Sequence, residues 1–141
     1  MKSLVGGLVS GIALGLFLKW IQDFTNLKVY TLLLNVDYVP IIKNIQLPEI
    51  IEFGLHLVIS IMLALILNVY INRKSLKKAA IYRLVLRVSL IVGLLLYPST
   101  LLSERTPSIT DAYAFLVWMA GHWIYGIILG RILSHKGGER V

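Results

Sequence analysis

The sequence predicts an all-α integral membrane protein, a four-transmembrane-helix bundle forming a single membrane domain over residues 1–141. Three observations carry that prediction. The chain is 57% hydrophobic and only 15% charged, whereas a soluble domain has about 25% charged residues. Four apolar runs, roughly 3–21, 50–71, 81–102 and 112–133, are each long enough to cross about 30 Å of hydrocarbon at about 1.5 Å per residue. The basic residues also gather at alternate connections, as they do in polytopic membrane proteins.

The first run opens with Lys2 and closes with Lys19 and Trp20. A basic start followed by an apolar stretch is also how a signal peptide begins. Nothing between Gly15 and Lys19 resembles a cleavage site, and a Lys-Trp pair suits an interfacial anchor, so the run is expected to be a retained helix. It carries Ser3, Gly7, Gly11 and Gly15 at intervals of four. Such a ladder permits close helix crossing, and it invites association into a homo-oligomer as readily as packing within one chain.

Residues 23–48 form the longest connection, oddly apolar and interrupted by Asn35, Asp37 and Pro40. It is too short and too broken to span, so it is expected to be a re-entrant or interfacial piece at the outer leaflet. Pro48 and Glu49 suit the start of the second span, where a missing amide is harmless and a carboxylate meets the positive end of the helix dipole. A basic turn, Asn72-Arg73-Lys74-Ser75-Leu76-Lys77-Lys78, leads into the third span, which should loosen at Tyr97-Pro98-Ser99-Thr100. Thr110 or Asp111 can cap the fourth.

Charge sets an expected topology. Lys2, Arg73, Lys74, Lys77, Lys78, Arg83, Arg87, Arg131, Lys136 and Arg140 share one side with a single acid, Glu139, and the other side holds Lys19, Lys28, Lys43 and Arg105 among the remaining acids. Ten basic residues against four place both termini in the cytoplasm. The net charge of +7 has no aromatic platform or recognisable nucleic-acid fold around it, so its expected partner is anionic lipid at the cytoplasmic face rather than nucleic acid. With no cysteine, disulfides, thiolate metal sites and cysteine nucleophiles are excluded.

Two histidines stand inside these apolar runs, each followed at helical spacing by small residues: His56 with Ser60 and Ala64, and His122 with Gly126 and Gly130. An ionisable group at membrane depth is costly and usually lines a cavity or meets a partner. Aligning the two histidines makes the first pair of helices a candidate counterpart of the second pair. Glu52, four residues before His56, can orient the imidazole, and Lys19 is a candidate partner for Glu52 near the outer interface. The expected function is therefore a proton- or ion-responsive membrane protein in which His56, His122, Glu52 and Lys19 form the relay. The alternative is a non-catalytic structural or assembly partner in which the histidines only pack. A third reading, a haem- or metal-binding membrane protein using the histidines with Glu52 or Asp111, lacks a complete ligand signature, and no cofactor is expected. No phosphate loop, HExxH or Ser-His-Asp pattern points to an enzyme.

The stretches Gly7-Leu8-Val9-Ser10-Gly11 through Lys19-Trp20, His56 to Ile61, Tyr97-Pro98 and Gly121-His122 occur in this order across all four runs. In this ordered set the chain resembles the YagU-like group of small bacterial inner-membrane proteins. The resemblance implies a four-helix protein of the cytoplasmic membrane and brings no established reaction. Gly93 stands where members of that group carry a further histidine, one turn before the proline.

Overall fold

The computed structural model describes residues 1–36 and 47–135. Asp37, Pro40 and Lys43 of the long connection, and the tail after His135 with Gly137 and Gly138, lie outside the described residues. The elements are α1 (Lys2–Thr25), a short α2 (Val29–Leu34), α3 (Glu49–Lys74), α4 (Lys78–Leu96), a 3-10 turn over Tyr97–Leu102 and α5 (Ala112–Ser134). Four helices are long and apolar enough to cross a membrane, counting α4 with its 3-10 extension as one. The chain is a multi-pass helical membrane protein.

Each helix boundary has a local cause. Asn26 takes the left-handed conformation at φ 58° and returns its amide to Gln22 O, closing α1. Pro48 precedes α3, and Glu49 and Glu52 occupy its first turn. Ser75, left-handed at φ 47°, ends α3 beside Arg73 and Lys74. At Pro98 the α-helical ladder loses a donor and the backbone tightens to 3-10 geometry. Asp111 Oδ1 accepts from Ala114 N at 3.0 Å and opens α5.

The packing is a row, α3–α1–α5–α4, with α3 and α4 on the flanks. α1 and α5 are the more buried pair. α1 serves both neighbours from adjoining faces. Gly7, Gly11 and Gly15 lie on α3, where an added Cβ would meet Ile61, Ser60 and Phe53, while Gly6 faces Leu129 and Ile132 of α5. The ladder therefore packs within the chain against Ser60 and Ala64. It does not supply a free surface for a second copy. On α5, Gly126 faces Leu86 and Gly130 faces Tyr82, both of α4.

Although a turn of a few residues joins them, α3 and α4 barely touch. At the end of the bundle holding Met1, the 75–77 turn and His135, the space between them is filled by Leu67, Ile71, Ile81, Val85, Leu129 and Leu133, all buried. At the other end the two helices stay apart, and α2 lies over the gap with Val29, Leu32 and Leu34 turned inward. Gln22 of α1 holds α2 in place: its Oε1 accepts from the Tyr30 and Thr31 amides, each at 3.0 Å. Those amides belong to the first turn of α2, which otherwise has no side-chain cap.

Candidate functional site

The gap between α3 and α4 is a cavity of about 80 Å³, room for a few water molecules. α3 contributes Glu52, His56 and Ser60 to its wall, α4 contributes Ser89, and α5 contributes His122 and Tyr125. Leucine side chains from α1, α2 and α3 complete it, together with Val92, Leu96 and Trp118. The two histidines thus come from spans far apart in sequence to one cavity. At about 1.5 Å per residue, His56 lies about 10 Å into α3 and His122 about 15 Å into α5, both counted from the α2 end.

Each imidazole is fixed by a backbone carbonyl. His56 Nε2 lies 3.2 Å from Gly11 O across the α1–α3 contact, and His122 Nδ1 lies 3.0 Å from Trp118 O one turn back on its own helix. Gly93 makes room for the second ring, since a Cβ there would stand 2.7 Å from His122 Cγ. Trp118 donates its indole N–H to Gly93 O at 2.8 Å and stacks obliquely on His122, with ring centres 4.5 Å apart.

Below the histidines a set of hydroxyls ties the helices together. Ser60 donates to Gly7 O at 2.6 Å, Tyr125 donates to Ser60 O at 3.1 Å, and Ser89 donates to His122 O at 2.5 Å. One set of bonds therefore links α1, α3 and α5, and a separate bond links α4 to α5. Trp118, Tyr125 and Ser89 are not among the residues that the sequence singled out. Their register was the available signal: Trp118 and Tyr125 fall four before and three after His122, on its own face of α5.

Two pairings expected from the sequence are replaced. Lys19 does not reach Glu52. Its ammonium meets Glu49 at 2.5 Å, with side chains 44% and 57% exposed, outside the wall of the cavity and over the ring of Tyr30. Tyr30 also donates to Glu49 at 3.0 Å. Glu52 is 9% exposed in its side chain and takes a different partner, Arg105 of the 103–111 loop, whose Nη2 donates to Oε1 at 3.3 Å. The carboxylate expected to orient His56 is thus engaged by a cation arriving from the loop. The cause is helical register: Glu49 and Glu52 differ by about 300° of rotation, so Glu49 faces α1 and Glu52 turns toward the gap.

The remaining candidates fall elsewhere. Asp111 caps α5, and among the described residues no group of three histidine, aspartate or glutamate side chains could hold a metal ion. Arg83 folds back on its own helix, its Nε donating to Ala79 O at 3.3 Å, and Arg87 stands exposed one turn further along. Compared with models of protein families, with curated proteins and with solved structures, the chain matches none.

Proposed function

We propose that the chain is a bacterial cytoplasmic-membrane protein that responds to protons or small ions at the cavity between α3 and α4, with His56 and His122 as its responsive groups. What supports this reading is the convergence of two intramembrane histidines on one cavity, with Glu52 and Arg105 at its mouth and Tyr125, Ser60 and Ser89 at its floor. Ionisable groups at this depth are costly to keep. The apolar packing beyond the floor makes the cavity one-sided, so a response is expected to be gated rather than a steady leak.

In this reading the termini face the cytoplasm, where Lys74, Lys77, Lys78, Arg83 and Arg87, all exposed, meet anionic headgroups. The mouth then opens toward the exterior. A reporter fused after Val141 is expected in the cytoplasm and one inserted near Thr106 outside. The reverse result would turn the cavity to face the cell interior.

The functional test is proton or ion movement in proteoliposomes between about pH 5 and 8, the window in which histidine titrates. His56→Gln and His122→Gln are expected to flatten the response while leaving the fold intact. One observation favours a second reading, a structural or assembly partner: each imidazole already has a backbone carbonyl to bond. Absence of flux, with both variants matching the parent in pH response and stability, would leave the structural role standing.

A further inference from the structure

The donors at the floor of the cavity are all committed. The hydroxyls of Ser60, Ser89 and Tyr125, the indole N–H of Trp118, and one ring nitrogen each of His56 and His122 point to main-chain carbonyl oxygens. A carbonyl oxygen has no hydrogen to give, so in every pair the side chain holds it. For a neutral imidazole this fixes the tautomer. His56 carries its hydrogen on Nε2 and keeps a bare lone pair on Nδ1; His122 carries its hydrogen on Nδ1 and keeps a bare lone pair on Nε2.

The residues that line the floor therefore have acceptors to spare, two ring nitrogens and three hydroxyl oxygens, and no spare donor. The Glu52 carboxylate adds negative charge toward the mouth, where Asn35 and Ser99 supply an amide and a further hydroxyl. An anion or a carbonyl compound finds no donor at the floor. A compact cation that carries N–H bonds finds lone pairs, a carboxylate and the ring of Trp118, to whose face a cation is drawn. The mouth already shows this chemistry, because Arg105 presents a guanidinium N–H to Glu52.

Resting on the reading of this cavity as the functional site, we infer that its ligand is a small ammonium-type cation, ammonium itself or a short primary alkylammonium. It would donate N–H bonds to His56 Nδ1 and His122 Nε2, with Glu52 compensating its charge. A volume of about 80 Å³ suits an ion of that size.

The test uses the full chain in detergent or nanodiscs, titrated near neutral pH with ammonium, methylammonium, potassium and tetramethylammonium chlorides at matched ionic strength. Ammonium and methylammonium are expected to raise the unfolding temperature saturably and to move the 15N signals of both histidines. Potassium has no N–H bond and tetramethylammonium has none either, so both are expected to bind about tenfold more weakly or less. His122→Leu and His56→Leu should each weaken ammonium binding about tenfold or more, the loss of one hydrogen bond to a charged group. Because those variants could disturb packing, the 15N spectrum of the unaltered protein is the second measurement. Protonated His56 Nδ1 or His122 Nε2 in the empty protein overturns the inference, and so does equal binding of ammonium and potassium. A histidine-dependent pH response without ammonium selectivity sinks this inference alone. Selective ammonium binding without any pH response sinks the proton response of the proposed function and leaves the ligand assignment in place.

Discussion

The two halves of the bundle are made from the same four helices and differ in what fills the space between α3 and α4. Toward the termini, Ala64, Gly126 and Gly130 let the helices close on Leu67, Ile81, Val85, Leu129 and Leu133. Toward α2, the positions facing the gap are His56, Ser60, Ser89, His122 and Tyr125, and a cavity remains. In a bilayer the lipid tails are as apolar as leucine, so helices gain from contact only where their shapes fit. The small residues provide that fit in one half. In the other, each polar side chain must keep a hydrogen-bond partner, and meeting those bonds holds the helices at a separation that apolar packing would have closed. The sealed half is held by close packing, and the half that keeps space between its polar groups holds the cavity.

The largest effect is expected from attacking that close packing. A Cβ on Gly7 would stand 2.7 Å from Ile61 Cα, a backbone atom that can yield only if α1 and α3 separate. Gly7→Leu should therefore cost about 3 kcal/mol or more in detergent thermal unfolding, and Gly11→Leu should follow it, since Ser60 and Leu57 crowd that position. Gly54, on the same α3 but with nothing within 4 Å of an added Cβ, is the comparison. Gly54→Ala should leave stability unchanged or raise it by up to about 1 kcal/mol, because alanine favours the helix. Equal costs at Gly7 and Gly54 would break the distinction between a packed and an open half.

A smaller effect, with a diagnostic order, is expected at the mouth. Arg105→Ala leaves the Glu52 carboxylate, 9% exposed, without the guanidinium. A cost of about 1–3 kcal/mol is expected, less than for a fully buried pair because the Arg105 side chain is half in solvent. Glu52→Gln leaves an arginine whose side chain is half in solvent, and should cost less than about 1 kcal/mol. If Glu52→Gln proves the more damaging of the two, the carboxylate supports the fold in a way that its ion pair does not explain.

The sequence made the spans and their ends legible because those depend on local features. Run length, Pro48, Asp111 and the Tyr97-Pro98 step each act within a turn or two, and each appears where expected. The gathering of His56 and His122 around small residues was legible as a pattern, since costly groups and close-approach residues both stand out against an apolar background. The partners were not. Whether Glu49 or Glu52 answers Lys19 depends on how α3 is rotated against α1, and that rotation is set by Gly7, Gly11 and Gly15 meeting Ile61, Ser60 and Phe53 across the interface. Arg105 could not be assigned to Glu52 because the path of the 103–111 loop depends on tertiary bonds such as Tyr97 Oη to Asp111 O at 3.0 Å. The ladder itself could not say whether it faces another copy or, as here, another helix of its own chain.

The smallest effect concerns the cover over the open half. Tyr30, at the start of α2, donates to Glu49 Oε1 at 3.0 Å. Burial, and then the neighbouring carboxylate, hold its hydroxyl well above the usual tyrosine range, since both favour the neutral form. The sign follows from linkage. A group whose ionisation is harder in the folded state than in the unfolded one contributes stability that is complete below its unfolded pKa, about 10 for tyrosine, and that is lost as pH rises toward the higher folded value. Tyr30→Phe should therefore cost about 0.5–1.5 kcal/mol at neutral pH, the worth of one hydrogen bond. The difference between parent and variant should stay flat up to about pH 10 and narrow only above it. Hydrogen exchange over 29–34 should rise in the variant while exchange over 64–71 and 126–133 stays unchanged, which would show that the cover opens independently of the packed half. A gap that closes only as pH falls to about 4 and below, the range in which a carboxylate protonates, would instead assign the effect to Glu49, whose protonation would release both Tyr30 and Lys19 from one carboxylate.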